Sequence, residues 1–192
     1  MIAIIKYNAG NITSVKNALN MLGFNCMVTD RESDIRNADK VIFPGVGEAS
    51  SAMRYLKQKG MDLLIKSLRQ PVLGICLGQQ LMCSFSEEGN VSGLDIFNAR
   101  VRKFPPREIV PHMGWNNIMH NASGLFAGIK ESEDFYFVHS YYCEIAQDTI
   151  STCDYILPFS AAMQKDNFYA VQFHPEKSAE TGAKLLINFL RL

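Results

Sequence analysis

No stretch of this 192-residue chain approaches the ~20 consecutive apolar residues that a bilayer-spanning helix needs. The opening run, Met1-Ile-Ala-Ile-Ile-Lys6, lacks the basic start and long apolar middle of a secretory signal and reads instead as a first strand. Neither sign of charge is in excess. With 19 Lys plus Arg against 19 Asp plus Glu, the whole chain offers no field to nucleic acid or to an anionic membrane. Cysteine is scattered and odd in number: Cys26, Cys76, Cys83, Cys143 and Cys153, with no Cys-X-X-Cys pair. That pattern suggests neither a disulfide framework nor a zinc knuckle, and it points to a reducing compartment, the cytoplasm. Internal repeats, low-complexity tracts and linkers are missing. So are a P-loop and a Gly-X-Gly-X-X-Gly fingerprint, and nothing reads as a nucleotide, sugar-phosphate, metal or cofactor site. What remains is 47% apolar and 20% charged, the composition of a globular chain whose length suggests one domain, 1–192.

Residues 1–7 form a short apolar run without helical period, and Asn8-Ala-Gly-Asn11 is a turn signal. A helix is predicted from about Ser14, with Val15, Ala18, Leu19 and Leu22 at i, i+3, i+4, i+7 and Gly23 as its stop. Phe24, Cys26 and Val28 alternate as a second strand. Lys40 to Phe43 is a third, stopped by Pro44-Gly-Val-Gly47. Helical patterns occupy about 50–59 and 61–70, Pro71 to Cys76 is a fourth strand, and Leu77 to Phe85 reads as a helix. Strand and helix alternate to about residue 86, which predicts a parallel sheet covered on both faces. Beyond it the chain turns strand-rich, at 96–104, 134–143, 153–157, 159–164 and 168–173. A final amphipathic helix after Ser178 sets Ala183, Leu186, Ile187 and Leu190 on one face. The class predicted is α/β: a central, mostly parallel sheet flanked by helices, with additional antiparallel strands in the C-terminal half.

Chemistry concentrates first at Gly74-Ile-Cys76-Leu-Gly78. An apolar strand runs into a Gly-X-nucleophile-X-Gly turn and then a helix, which is a nucleophile elbow with Cys in place of Ser. Such a turn holds the thiol above the sheet among backbone N–H donors, where the thiolate is favoured. The other four cysteines have no such setting and read as structural. A thiol nucleophile needs a base. Of His112, His120, His139 and His174, the last sits at the end of an apolar strand in Val171-Gln-Phe-His-Pro-Glu176, where open α/β sheets place their sites. Glu176, two residues on, can accept from the second ring nitrogen and so orient the imidazole, and Pro175 stiffens the link.

Gly-Ile-Cys-Leu-Gly-Gln followed by Gln-Phe-His-Pro-Glu resembles the class I glutamine amidotransferases, the Cys-His-Glu triad group. Pro44-Gly-Val-Gly47, Pro111-His-Met-Gly-Trp-Asn116 and Phe137-Val-His-Ser-Tyr-Tyr142 narrow the resemblance to the glutaminase subunits of imidazole glycerol phosphate synthases, from histidine biosynthesis. The resemblance covers essentially the whole chain. It implies that Cys76 attacks the side-chain amide of glutamine, that His174 moves the proton and that Glu176 orients His174. The oxyanion donors would be the backbone of Leu77 and of the Val46–Gly47 segment. Gln80, Glu88, Ser140 and Tyr141 would contact the substrate, Glu88 pairing with its ammonium. Released ammonia would pass to a (β/α)₈-barrel cyclase subunit, with Asn116, Tyr136 and Lys177 as interface candidates. Trp115, the only tryptophan, reads either as core or as an aromatic anchor on the docking surface. Judged alone, Glu87-Glu88 is a solvated pair and the Pro-Gly-Val-Gly turn an ordinary strand end.

Two departures stand out. The family opens Asp-Tyr-Gly-X-Gly-Asn where this chain has Lys6-Tyr-Asn-Ala-Gly-Asn11, and it has Met where this chain has Gln79. Two rivals share the elbow: a paralogous subunit feeding another synthase, such as a sugar-modifying enzyme, and a stand-alone cysteine hydrolase. A non-catalytic binding protein would not need all of Cys76, His174 and Glu176.

Overall fold

In the computed structural model, which describes residues 1–8, 10–121 and 124–192, the first half alternates strand and helix. Ala9, inside the expected turn after the first strand, lies outside the described residues. In chain order the first half runs β1 (Ile2–Ile5), α1 (Ile12–Met21), β2 (Cys26–Thr29), α2 (Glu32–Arg36), β3 (Lys40–Gly45), α3 (Ala49–Gln58), α4 (Met61–Lys66), β4 (Val72–Cys76) and α5 (Leu77–Met82). The second half is β5 (Cys83–Ser86), β6 (Val91–Ser92), β7 (Phe97–Lys103), β8 (His112–Asn117), β9 (Met119–His120), β10 (Asp134–His139), β11 (Tyr141–Cys143), β12 (Thr149–Tyr155), β13 (Leu157–Lys165) and β14 (Phe168–Val171), with α6 (Ala179–Leu190) last.

Among the described residues, eight strands make the main sheet in the order β2-β1-β3-β4-β14-β13-β12-β9. From β2 to β14 neighbours are parallel, and β13, β12 and β9 add on antiparallel. Burial on both faces explains the continuously apolar inner strands. Side chains alternate across the sheet. Ala3, Ile5, Val41 and Phe43 pack with α3 and α4 residues such as Leu56 and Ile65. Ile2, Ile4 and Ile42 pack on the other side with Leu19 of α1 and Leu186 of α6. Register then does the positioning. Gly45 pairs with Cys76 and Val171 with Ile75, so β3, β4 and β14 end at one edge of the sheet. His174 lies three residues beyond β14 at that same edge. None of the helices among the described residues is long and apolar enough to cross a membrane.

The α/β class and the C-terminal antiparallel additions agree with the sequence reading, but several details differ, among them a short helix α2 and short strands β6 and β9 that it did not contain. The helix expected over 77–85 ends at Met82, and Cys83–Ser86 is strand, claimed by pairing with β7 and β6. A short apolar run cannot settle helix against strand by itself. Residues 112–117 form a strand, β8, paired antiparallel with β10 so that Trp115 faces Tyr136 and His112 faces His139. The single strand expected over 134–143 breaks at Ser140, where the chain leaves β8 and joins β7 in a second sheet. The last helix buries Gly182, Leu185, Leu186 and Phe189. This rotates the expected face because Gly182 lies against the Pro175 carbonyl, where a Cβ would collide.

A second close approach holds α5 to the sheet. A Cβ on Gly78 would run into the backbone carbonyl of Phe43 on β3. Gly78→Ala is therefore expected to cost about 1–3 kcal/mol, the usual range for overpacking. In a chain of this size that lowers the melting temperature by several degrees in a thermal scan. An unchanged melting temperature would contradict the contact.

Candidate active site

Cys76 closes β4 and opens α5 with φ 54° and ψ −108°, a positive-φ backbone that costs a non-glycine residue roughly 1–3 kcal/mol. The flanking glycines allow it. A Cβ on Gly74 would stand 3.0 Å from the Gly78 backbone and 3.0 Å from Met82 Sδ. The turn lifts the sulfur into a cleft of about 260 Å³. Sγ lies 4.0 Å from the Val138 carbonyl and accepts from Gln172 Nε2 at 3.6 Å.

His174 is fixed by its main chain, whose N–H donates to the Tyr136 carbonyl at 2.9 Å. Its ring Nδ1 meets Glu176 Oε1 at 2.8 Å, and the two side chains are 1% and 0% exposed. A carboxylate can only accept, so Nδ1 carries a proton and Nε2 is turned toward the nucleophile side. Nε2 is buried without a hydrogen-bond partner, as is Glu176 Oε2. Contacts between nucleophile and base are commonly looser before substrate arrives. Burial works to strip the imidazole of its proton. The negative Cys76 sulfur and the Glu176 carboxylate outweigh it, and His174 is pushed up to about 10.

The elements that the resemblance assigned to substrate share the cleft: Val46, Gly47 and Leu77, with Gln80, Glu88, Ser140 and Tyr141. The Val46 carbonyl accepts from Gly10 N at 3.3 Å, and Gly47 adopts φ 126°, a conformation that favours glycine. Glu88 is not a solvated loop charge. Its Oε2 accepts from the Ala49 N–H at 2.9 Å, and partial burial raises its pKa against the pull of that N–H. Gln80 differs from the expectation in one respect. Its amide nitrogen is committed inward, to the Tyr141 carbonyl and to Gln172 Oε1, both at 2.9 Å. Only its Oε1 is left for a substrate. A larger hollow of about 540 Å³ between α1 and α6 touches Glu176 from behind but is lined by neither cysteine nor histidine.

Asn116, Tyr136 and Lys177 lie outside this cleft. Tyr136 is on the outer face of the β8–β10 ribbon and Lys177 in the turn after His174, but Asn116, paired with buried Phe135, is on the inner face beside His112. Lys177 Nζ stands 5.8 Å over the Tyr136 ring, and Trp115 meets Tyr136 edge-on at 5.9 Å. Trp115 and Met113 are 55% and 62% exposed, which settles Trp115 as a surface residue. Of the departures, Lys6 is exposed, Asn8 reaches the Ser51 carbonyl at 3.3 Å, and Gln79 is buried with Nε2 on the Ser160 carbonyl at 3.1 Å. None of the three touches the triad.

Two residues of the site escaped the sequence reading. Asn11, read only as part of a turn, donates its side-chain amide to Glu176 Oε1 from a left-handed backbone at φ 71°. Gln172 touches the sulfur. Its signal was a polar side chain inside the apolar run Val171-Gln-Phe.

The class-I glutamine amidotransferase family model matches residues 3–192, and the chain belongs to that family. It is 59% identical over 194 residues to the imidazole glycerol phosphate synthase subunit HisH of Bacteroides fragilis, covering 100% of this chain and 99% of that protein. It is 48% identical over 191 residues to the HisH subunit of Pasteurella multocida, covering 98% and 96%. Within the family its sequence falls with these HisH subunits. Solved structures share the fold at low identity. A GMP synthase subunit of Thermoplasma acidophilum superposes with TM-score 0.75 at 18% identity, over 100% of this chain and 92% of that one. PurLQS from Thermotoga maritima gives 0.73 at 14%, over 99% and 97%.

The His174 imidazole binds its proton more tightly in the fold than in the unfolded chain. The stability it contributes is complete below the ordinary histidine value of about 6.5 and is lost as pH rises through about 10. In Cys76→Ala the larger of the two opposing charges is gone while burial and Glu176 remain, so the His174 titration followed by imidazole NMR should move down. An unmoved His174 titration would show that the sulfur does not govern this proton.

Proposed function

We propose that this chain hydrolyses glutamine to glutamate and ammonia through a glutamyl thioester on Cys76, as the glutaminase subunit of an imidazole glycerol phosphate synthase in histidine biosynthesis. The observation that carries the reading is the meeting of Cys76, His174 and Glu176 at the common end of β4 and β14, beside a cleft that holds Glu88 and Gln80. The Cys76 sulfur attacks the side-chain amide carbon, and His174 holds the thiol proton at Nε2 and passes it to the departing ammonia. Glu176, steadied by Asn11, keeps the imidazole in one tautomer. Negative charge on the tetrahedral oxygen is met by the Leu77 N–H and by the Val46–Gly47 turn once that turn presents an N–H. Water then cleaves the thioester and releases glutamate. The Glu88 carboxylate takes the ammonium end of the substrate, with Ser140 and Tyr141 on the opposite wall.

Ammonia is mostly protonated in neutral water, so its use as a nucleophile calls for a protected path into an acceptor site. We assign that site to a cyclase subunit of (β/α)₈-barrel form, docked on the outer face of the β8–β10 ribbon through Trp115, Tyr136 and Lys177, with Asn116 on the inner face of the same strand as Trp115. The 192 residues act as one amidotransferase domain, in the reducing cytoplasm that free cysteines suit.

Two experiments test this. In the complex with the cyclase subunit, Cys76→Ala should lower glutamine-dependent synthesis at least about a thousandfold, as loss of a triad nucleophile does, and spare ammonia-dependent synthesis. Survival of both would refute the nucleophile. Trp115→Ala should weaken the complex by ~2 kcal/mol, roughly 30-fold in Kd by calorimetric titration, with the fold intact. Unchanged affinity would move the docking face elsewhere.

A further inference from the structure

His112 and His139 form a buried pair that the mechanism above leaves unused. His112 Nδ1 and His139 Nε2 are 3.0 Å apart, and both residues are almost fully enclosed. The ends of the pair fix its protons. His139 Nδ1 lies 2.8 Å from the Tyr141 carbonyl, an acceptor only, so Nδ1 carries hydrogen. Nε2 of the neutral ring is then a lone pair, and the hydrogen between the two rings belongs to His112 Nδ1. That leaves His112 Nε2 as an acceptor, and Asn116 Nδ2 approaches it at 3.4 Å. The orientation of Asn116 is set independently. Its Nδ2 also donates to the Asp154 carbonyl at 3.2 Å, and its Oδ1 accepts from Asn117 N at 2.9 Å. The His112 ring cannot turn easily, since it stacks on Tyr155 at 4.0 Å and on Phe137 at 4.8 Å.

The chain of bonds continues past Tyr141. The same carbonyl accepts from Gln80 Nε2, which also donates to Gln172 Oε1, and Gln172 Nε2 donates to Cys76 Sγ. We propose that His112 and His139 are positioning residues, a one-tautomer relay that runs from Asn116 on β8 to the Tyr141 carbonyl and there fixes the Gln80–Gln172 pair against the nucleophile. Both rings are neutral in this role, because burial holds His112 down at about 4 and His139 at about 3, so the relay keeps one polarity through the neutral range. The relay rests on the glutaminase reading of the site. It adds to that reading a physical link between the β8–β10 ribbon and the sulfur, and a reason for His139, which lines the cleft, and for His112 behind it.

The test has two parts. Nitrogen-15 NMR of the full chain should show both rings neutral with hydrogen on Nδ1, and an Nε2–H form of His139 would overturn the proposal. In the complex with the cyclase subunit, His112→Phe keeps a flat apolar ring but removes the donor to His139. His139 then keeps Nδ1–H on the Tyr141 carbonyl but loses the bond that holds its Nε2, so the ring and that carbonyl are less firmly placed, and the glutamine kcat should fall about tenfold while ammonia-dependent synthesis holds. His112→Asn places an amide N–H near the lost Nδ1–H and should restore most of the rate. Equal impairment of the Phe and Asn variants, or an unimpaired Phe variant, would overturn the relay. A wild-type complex without glutamine turnover would instead overturn the function itself, and the relay's role with it.

Discussion

The contact between His174 Nδ1 and Glu176 Oε1 is the interaction on which the rest of the site depends. Both groups lie out of water, where an unpaired carboxylate would be costly to keep charged. Each therefore needs the other, and Asn11 adds a second donor to the same carboxylate oxygen. The pair does more than satisfy two polar groups. By holding hydrogen on Nδ1 it leaves Nε2 to hold the second proton of the ring, whose proton affinity the Cys76 sulfur raises. A proton can then move between sulfur and leaving group without a change in what surrounds it. The burial that makes the pair necessary also shields it from competing water.

Geometry elsewhere serves that contact. Parallel strands β4 and β14 end in register, and this brings a cysteine and a histidine from positions 98 residues apart to one edge. The elbow at Cys76 spends stability on an unfavourable φ, and the glycines around it let backbone approach backbone where side chains would not fit. The two sheets meet at Ser140. The break there places the Tyr141 carbonyl at the cleft wall, where Gln80 and His139 both use it.

Much of this was legible in the sequence, for reasons that differ by residue. Cys76 and His174 stand out because an elbow and a strand-end His-Pro-Glu put polar chemistry where apolar strands stop. The alternation of the first half is strong because each inner strand is buried on both faces. The second half was harder. Strand β8 carries His112, Gly114 and Asn116 on alternate positions, so its inward face is not apolar and gives no period-2 signal. Strand β5 looks helical because Leu81, Met82 and Phe85 have helical spacing, and pairing with β7 overrides it. Asn11 and Gln172 could not be assigned from spacing, since each acts across more than 90 residues. The same holds for the ring contacts of His112. Motifs name the reactive atoms, while the hydrogen bonds that aim them are tertiary.

The proposed catalysis stands on one sulfur activated by one buried imidazole–carboxylate pair. The most direct measurement is peptide mapping by mass spectrometry after exposure to a glutamine-like diazoketone, with the rate of labelling followed in the wild-type chain and in Glu176→Gln. The expected result is a single label on Cys76, protected by glutamine and formed far more slowly in the variant. Labelling spread over the other cysteines, or a Cys76 rate indifferent to Glu176, would contradict it.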